Sequence, residues 1–545
     1  MPRGLKKICA IIGGDVLGRA DASEATTTAG QVLHADRFGL LRIVVESLAV
    51  ACMLAAVLAG CASPATKGPR DTIEAESSAA ESSAATRARF AEGGPDAEDY
   101  GASRGYPIGD RATCYRGPSV ALVFFVGCYS HLDQVYEGRL VRRAKTPSPL
   151  TRAASEPAVR YEYQGQTFTV EDYLARNPAT GLLVARGDTI LIERYQYARH
   201  DRHRFTSRSM AKTVTAMLIG IAIEEGRIRS VDDPAGHYVP ALADTVYGRT
   251  SLRHLLQMSS GVRFVDEYSG RDGGAQLDAD TFRQVGAGGV DAVKPFNVRD
   301  APSGTKFSYA NGDTQVLGLV LRYAVGRPVA DYLQEKVWEP MGAEADATWL
   351  IDRTGQEATY CCLNAVLRDY ARLGLLLAHD GQWRGRQIIP SAWIEEATRV
   401  RLDQPHLQPG SRTFLRSYGY GYQVWIFGGE RRMFMLLGSR GQAIFVDPAS
   451  QLVMVHTAVR RQLQDPGHAE AVALWRSLVQ GSAIDGGAPS QAGHHYNGNV
   501  TAQSIHQTAY FATTLPESFA RIGLNRKIGS FGPASDAWIH SVDDR

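Results

Sequence analysis

Ser209-Met210-Ala211-Lys212 is followed by Thr213-Val214-Thr215-Ala216-Met217-Leu218-Ile219-Gly220-Ile221-Ala222-Ile223-Glu224-Glu225-Gly226, so a serine and a lysine head an apolar segment. Val214, Met217, Leu218 and Ile221 recur at helical spacing and Gly226 supplies a stop, which predicts a helix from Ser209 to Glu225. A three-residue separation puts Ser209 and Lys212 on one face, about one turn apart. The Ser209 amide then stands at the positive end of the helix dipole, where a developing oxyanion is stabilised. A serine needs a base to become a nucleophile, and a lysine kept neutral by apolar surroundings and positive neighbours serves as one. The same spacing recurs in Ser303-Gly304-Thr305-Lys306. There Pro302 and Gly304 favour a turn, which does not oblige Ser303 and Lys306 to share a face.

Downstream lies a second chemical element, Phe307-Ser308-Tyr309-Ala310-Asn311-Gly312-Asp313. A tyrosine phenol beside a lysine ammonium loses its proton more easily and can shuttle it between nucleophile and leaving group. An asparagine amide both donates and accepts, so Asn311 is suited to bond Lys212 and a substrate carbonyl together.

Around these elements the patterns alternate. Gly181 to Tyr195 reads as a hairpin turning at Gly187-Asp188. Phe434–Leu437, Gln442–Val446 and Leu452–Ala458 read as strands, with a turn at Asp447-Pro448. The apolar run Val120 to Val126 reads as a further buried strand. Strands near both ends with helices between predict an α/β fold, an antiparallel sheet flanked by helices with a helical subdomain inserted. No glycine-rich dinucleotide fingerprint and no Walker loop are present, and no G-x-S-x-G elbow supports a Ser-His-Asp hydrolase.

Ser209-x-x-Lys212 followed by Tyr309-x-Asn311 resembles the serine β-lactamase and penicillin-binding-protein superfamily. The nearer likeness is to its branch of AmpC-type β-lactamases, esterases, D-aminopeptidases and aminohexanoate-oligomer hydrolases. Ser230-Val-Asp-Asp-Pro234, Thr250 to Gly261 and Trp338-Glu-Pro-Met-Gly342 are similar to further segments of that family, and the likeness spans roughly residues 170–478. It implies a β-lactamase/transpeptidase-like fold and an acyl-enzyme on Ser209, with Lys212 and Tyr309 handling protons. The family's third element, a K-T-G or H-x-G strand segment, aligns with Leu437-Gly438-Ser439-Arg440-Gly441-Gln442, with Gly441 as the glycine and Ser439 at the usual cation's position. That alignment makes the Gln442 N–H the second oxyanion donor beside the Ser209 N–H, and leaves Arg440 as a cation able to compensate. A neutral Ser439 implies ester or small-amide substrates rather than β-lactams. The other reading of the same fold is a slow-turnover binder or sensor of penicillins or peptidoglycan fragments.

The remaining sequence bears on location. Residues 1–60 carry basic Arg37 and Arg42, the apolar run Ser47 to Gly60 and the ending Leu58-Ala59-Gly60-Cys61, which resembles a lipoprotein signal with Cys61 as the lipidated residue. An uncleaved anchor is the alternative, although the run is short for a membrane span. The length of residues 1–36 suggests a start codon further downstream. Residues 61–105 read as a flexible tether, 106–480 as the hydrolase domain and 481–545 as a weakly patterned tail containing His494 and His495. Lys and Arg total 59 against 57 Asp and Glu, a net charge of +2, which excludes nucleic-acid binding driven by bulk charge. The expected partners are therefore a small ester, amide or peptide-like substrate and a membrane reached through the lipid, on the periplasmic side and at the outer membrane where the host has one. No cofactor and no metal are implied. In an exported chain Cys114 and Cys128 can pair, while Cys361-Cys362 read as buried thiols. His254 reads as a packing residue. Tyr418, Tyr420, Tyr422 and Trp425 read as either pocket wall or core.

Overall fold

The apolar runs from the two ends of the domain meet in one sheet. In the computed structural model, residues 90–481 are described, apart from 116–120, 266–271, 284, 412–414 and 463–466. Its main sheet contains β1 (Thr151–Arg152), β2 (Ala179–Arg186), β3 (Thr189–Tyr195), β4 (Tyr418–Tyr420), β5 (Trp425–Phe427), β6 (Phe434–Gly438), β7 (Gln442–Asp447) and β8 (Leu452–Ala458). Their order across the sheet is β4-β5-β6-β7-β8-β2-β3-β1. All neighbours are antiparallel except β1, which runs parallel to β3. The non-local join is β8 on β2, with Val455 opposite Leu183. The expected hairpin and the three C-terminal strands are all present.

Both faces of this sheet are covered, which is why β2 and β8 are almost wholly apolar rather than alternating. Helix α3 (Leu367–Ala378) lies on one face, where Gly374 approaches so closely that a Cβ would stand 2.5 Å from Val453 Cγ1 and 2.8 Å from Ile444 Cγ2. The next residue of β7, Phe445, points the other way and meets Trp475 of α4 (Gly467–Val479), with ring centroids 5.7 Å apart. A second, four-stranded sheet runs Gly138–Val141, Ala347–Leu350, Leu363–Ala365, Phe205–Thr206 in that order.

Helix α1 (Ala211–Glu224) and helix α2 (Asn311–Val325) pack against each other in the helical part. A single apolar face was expected for α1. Instead every residue from Ala211 to Ala222 is buried, because apart from Lys212 the segment is apolar or small all round and forms a central helix. Trp393 closes over one side, with its ring 2.3 Å from where a Cβ on Gly220 would be.

Two expectations change. Val120 to Val126 does not form a strand: among the residues described, Leu122–Phe124 form a 3-10 turn that leads into a helix, Phe125–Ser130. A short apolar run cannot be assigned by periodicity alone, and Gly127 here sits against the Pro107 carbonyl at a distance no Cβ would allow. The packed region also begins before residue 106. Tyr100 is buried and its hydroxyl donates to the Val459 carbonyl at the end of β8 (2.8 Å), while Tyr197 donates to Pro95 O (2.7 Å). Cys114 and Cys128 are disulfide-bonded. Cys361 and Cys362 are bonded to each other rather than being free thiols. Cys61, the apolar run before it, His494 and His495 lie outside the described residues.

Candidate active site

The site forms where α1 and α2 begin. Ser209 lies in a 3-10 turn, Arg208–Met210, which runs directly into α1, and Lys212 stands one turn on. Arg208, the residue before the serine, has φ +45, a left-handed conformation uncommon for a side-chain-bearing residue. Bonds to the second sheet hold it there: Ser207 N donates to Leu363 O (2.7 Å) and Leu363 N donates to Ser207 Oγ (3.1 Å).

Lys212 is 1 % exposed, and its Nζ bonds Ser209 Oγ (3.1 Å), Asn311 Oδ1 (2.7 Å) and the Tyr360 carbonyl (2.8 Å). The chemistry of these three acceptors differs. Asn311 Oδ1 and Tyr360 O can only accept, so they take two N–H bonds in either protonation state. Ser209 Oγ accepts from an ammonium, yet donates its own proton to the lone pair of a neutral amine. Of these three contacts, the one able to reverse is the one to the serine.

Tyr309 sits in the irregular segment just before α2, and Lys212 Nζ lies 5.0 Å from its ring centroid. Trp425 stacks on the Tyr309 ring (5.8 Å, 24°) and Tyr420 meets it edge-on (6.3 Å). These two buried aromatics therefore fix the tyrosine's plane. Tyr418 and Tyr422 do other work: Tyr418 pairs with His468, and Tyr422 accepts from Arg253 Nη1 at 2.7 Å. Behind the lysine, Tyr360 donates its hydroxyl to Asp278 Oδ1 (2.8 Å). Burial pushes the Asp278 carboxyl up to about 6, against the opposing pull of the Tyr360 bond, Arg208 and Lys212. Sequence reading did not single out Tyr360, Asp278 or Arg208, since none lies in a recognisable spacing with Ser209.

The third segment meets the site through a different glycine from the one expected. Gly438 ends β6 against the segment that carries Ser209, where a Cβ would stand 2.6 Å from Ser207 O and 3.0 Å from Arg208 Cβ. Ser439 follows, its Oγ accepting from Arg208 Nε at 3.2 Å. Gly441 and Gln442 instead face β8: a Cβ on Gly441 would meet Ala458 Cβ at 2.9 Å, and Gln442 Nε2 donates to Ala458 O at 2.6 Å. Both glycines are sterically required, so crowding alone could not choose between them. Arg440 is no substrate cation. It is 1 % exposed and donates to the carbonyls of Arg460 (2.8 Å) and Arg461 (2.7 Å), with its guanidinium over Phe125.

The competing Ser303 is turned elsewhere, its Oγ 2.8 Å from His254 Nδ1, while Lys306 is exposed. The turn at Gly304, φ +82, packs on the His254 ring.

The profile of the beta-lactamase family matches residues 169–475, more than half of the chain. The chain belongs to the beta-lactamase family of hydrolases. It is 26% identical over 364 residues to the 6-aminohexanoate-dimer hydrolase of Paenarthrobacter ureafaciens, covering 66% of this chain and 89% of that protein. It is 25% identical over 213 residues to penicillin-binding protein 4 of Amycolatopsis lactamdurans, covering 38% and 53% respectively. A solved structure from Bacillus anthracis, assigned as a 6-aminohexanoate-dimer hydrolase, superposes with a TM-score of 0.59 at 25% identity, over 65% of this chain and 93% of that one.

Proposed function

We propose that this chain is an exported serine hydrolase that cleaves an ester or amide through an acyl-enzyme on Ser209. The observation that carries the reading is the position of Lys212 Nζ between Ser209 Oγ and two acceptors that cannot donate. As a neutral amine Lys212 takes the Ser209 proton while Oγ attacks the substrate carbonyl. Tyr309 delivers a proton to the leaving group and is reprotonated by the Lys212 ammonium, and water then resolves the ester on Ser209. The oxyanion rests on the Ser209 N–H and, since Gly438 rather than Gly441 borders the nucleophile, on the N–H of Ser439. Asn311 holds Lys212 and orients the acyl chain. The likeness to a 6-aminohexanoate-dimer hydrolase supports linear amides as one substrate class.

A fluorophosphonate probe tests this: it labels a single peptide containing Ser209, and Ser209→Ala abolishes both label and turnover. Removing the nucleophile of subtilisin, another serine hydrolase, costs on the order of 10⁶ in kcat, so a merely tenfold loss contradicts the proposal. Multiple turnovers of p-nitrophenyl butyrate separate this reading from a slow-turnover penicillin binder, which stops at one equivalent. We also propose export and lipid attachment at Cys61, supported by Leu58-Ala59-Gly60-Cys61 after an apolar run. Cys61→Ser should then accumulate as unprocessed precursor, and a normally matured soluble product would refute it.

A further inference from the structure

We infer that the Cys361–Cys362 disulfide is a positioning device for Lys212, acting through the carbonyl of Tyr360; this rests on the assignment of Lys212 as the base. The bond joins adjacent residues directly after Tyr360, so its small ring includes the peptide link between the two cysteines. Cys362 has φ +68, a left-handed conformation that a side-chain-bearing residue seldom adopts unaided. The result is a reversal of carbonyl direction. Tyr360 O accepts from Lys212 Nζ (2.8 Å), whereas Cys361 O accepts from Trp349 Nε1 (2.9 Å) and Cys362 O from Leu350 N (3.2 Å).

The same short segment grips the nucleophile. Leu363, next after the disulfide, accepts from Ser207 N and donates its own N–H to Ser207 Oγ, two residues before Ser209. The segment 360–363 thus ties the base on one side and the nucleophile's turn on the other. Cys361 is 7 % and Cys362 0 % exposed, so the disulfide is an internal part of this scaffold. With the bond open, Cys362 is released toward ordinary backbone angles. The Tyr360 carbonyl then leaves the direction that Lys212 needs.

Opening it is a two-electron reduction by a dithiol: thiolate attack breaks the Cys361–Cys362 S–S bond, two thiols form, and the reductant becomes a disulfide. The test compares native protein, protein treated with dithiothreitol and reoxidised protein, the state of the bond being read by alkylation and peptide mass. On reduction kcat for a p-nitrophenyl ester falls about tenfold to a hundredfold, the order expected for a misplaced catalytic group, while KM stays within about twofold. The acidic limb of the pH–rate profile also moves to lower pH, because a carbonyl acceptor favours the ammonium and its loss favours the amine. Cys114→Ser/Cys128→Ser keeps the full response, which separates the two disulfides. Cys361→Ala/Cys362→Gly permits the left-handed turn without locking it, so it folds and shows the lowered kcat and the shifted limb without reductant. Unchanged kcat and an unmoved limb in this variant or in reduced protein overturn the inference, as does native protein with two free thiols at these positions. Fluorophosphonate labelling of Ser209 separates the failures. If Ser209 is labelled but kcat ignores the bond, only the positioning role fails; if Ser209 is not labelled, the underlying assignment fails.

Discussion

Lys212 Nζ is closer to Asn311 Oδ1, at 2.7 Å, than to Ser209 Oγ, at 3.1 Å. The lysine is thus anchored by the first residue of one helix while facing a serine at the head of another. Its basicity depends on the charge of that anchor. A neutral amide leaves the amine accessible, whereas a carboxylate would hold the proton on it.

Asn311→Asp therefore keeps the shape of the contact and changes its sign. An opposite charge at this distance raises a cation's pKa by about one to three units. At pH 7 less of Lys212 is a free amine, so kcat/KM falls at least tenfold and the acidic limb moves up by a similar interval. A pH–rate profile measured to pH 10 checks this; a limb that stays in place, or moves down, removes Lys212 as the base.

Gly438 and Gly441 make opposite predictions on alanine substitution. Gly438 has ordinary extended backbone, φ −124, so Gly438→Ala is penalised through contact rather than backbone strain, above all with Ser207 O (2.6 Å) and then with Arg208 Cβ and Gln442 Cβ (3.0 Å each). The turn that carries Ser209 must shift, and kcat falls by about a hundredfold, the order seen for a group misplaced by an ångström. Gly441 has φ +93 and faces Ala458 and Arg460, so Gly441→Ala lowers Tm while kcat per folded molecule changes little. Thermal melts alongside burst-titrated kcat distinguish them. The reverse pattern would restore Gly441 as the glycine that borders the Ser209 turn.

The α/β architecture and the pairing of early with late strands were legible because the long buried runs at 181–195 and 434–458 have unambiguous strand patterns and turn residues. Ser209-x-x-Lys212 and Tyr309-x-Asn311 are local spacings that stand out through their order along the chain, and the structure brings these two distant pairs together around Lys212 Nζ. What failed was of another kind. Val120 to Val126 is too short for periodicity to separate helix from strand. The choice between Gly438 and Gly441 depends on which strand end meets Ser207, and Tyr360 reaches Lys212 through a backbone carbonyl. Backbone contacts between distant segments leave no mark on residue type.

Ser303 offers a control within the same molecule. It shares the S-x-x-K spacing, yet it bonds His254, and the Lys306 side chain lies in solvent. Ser303→Ala should keep kcat/KM within about twofold and lose only a modest hydrogen bond, about 1 kcal/mol of stability. Loss of fluorophosphonate label in Ser303→Ala would show that the wrong serine had been assigned.

Asp313, two residues after Asn311 in α2, gives the domain a pH-dependent stability of calculable sign. It is fully buried, and its Oδ1 accepts from Ser260 Oγ at 2.8 Å. Burial pushes its carboxyl from 3.8 up to about 7, against the smaller opposing effect of the Ser260 bond. Between these values the folded chain holds a proton that the unfolded chain has released, so stability falls as pH rises through this window. Below about pH 4 both states are protonated and the group has no effect; above about pH 7 both are ionised and the full penalty of a buried charge applies. Asp313→Asn retains the shape and the acceptor for Ser260 without the charge. Its Tm should match the wild type near pH 4, rise relative to it by several degrees from pH 4 to 7, and hold that advantage up to pH 9. Calorimetric melts across this range measure the difference directly. An advantage that shrinks with rising pH would mean that Asp313 is ionised in the folded protein at acidic pH and held by a cation instead.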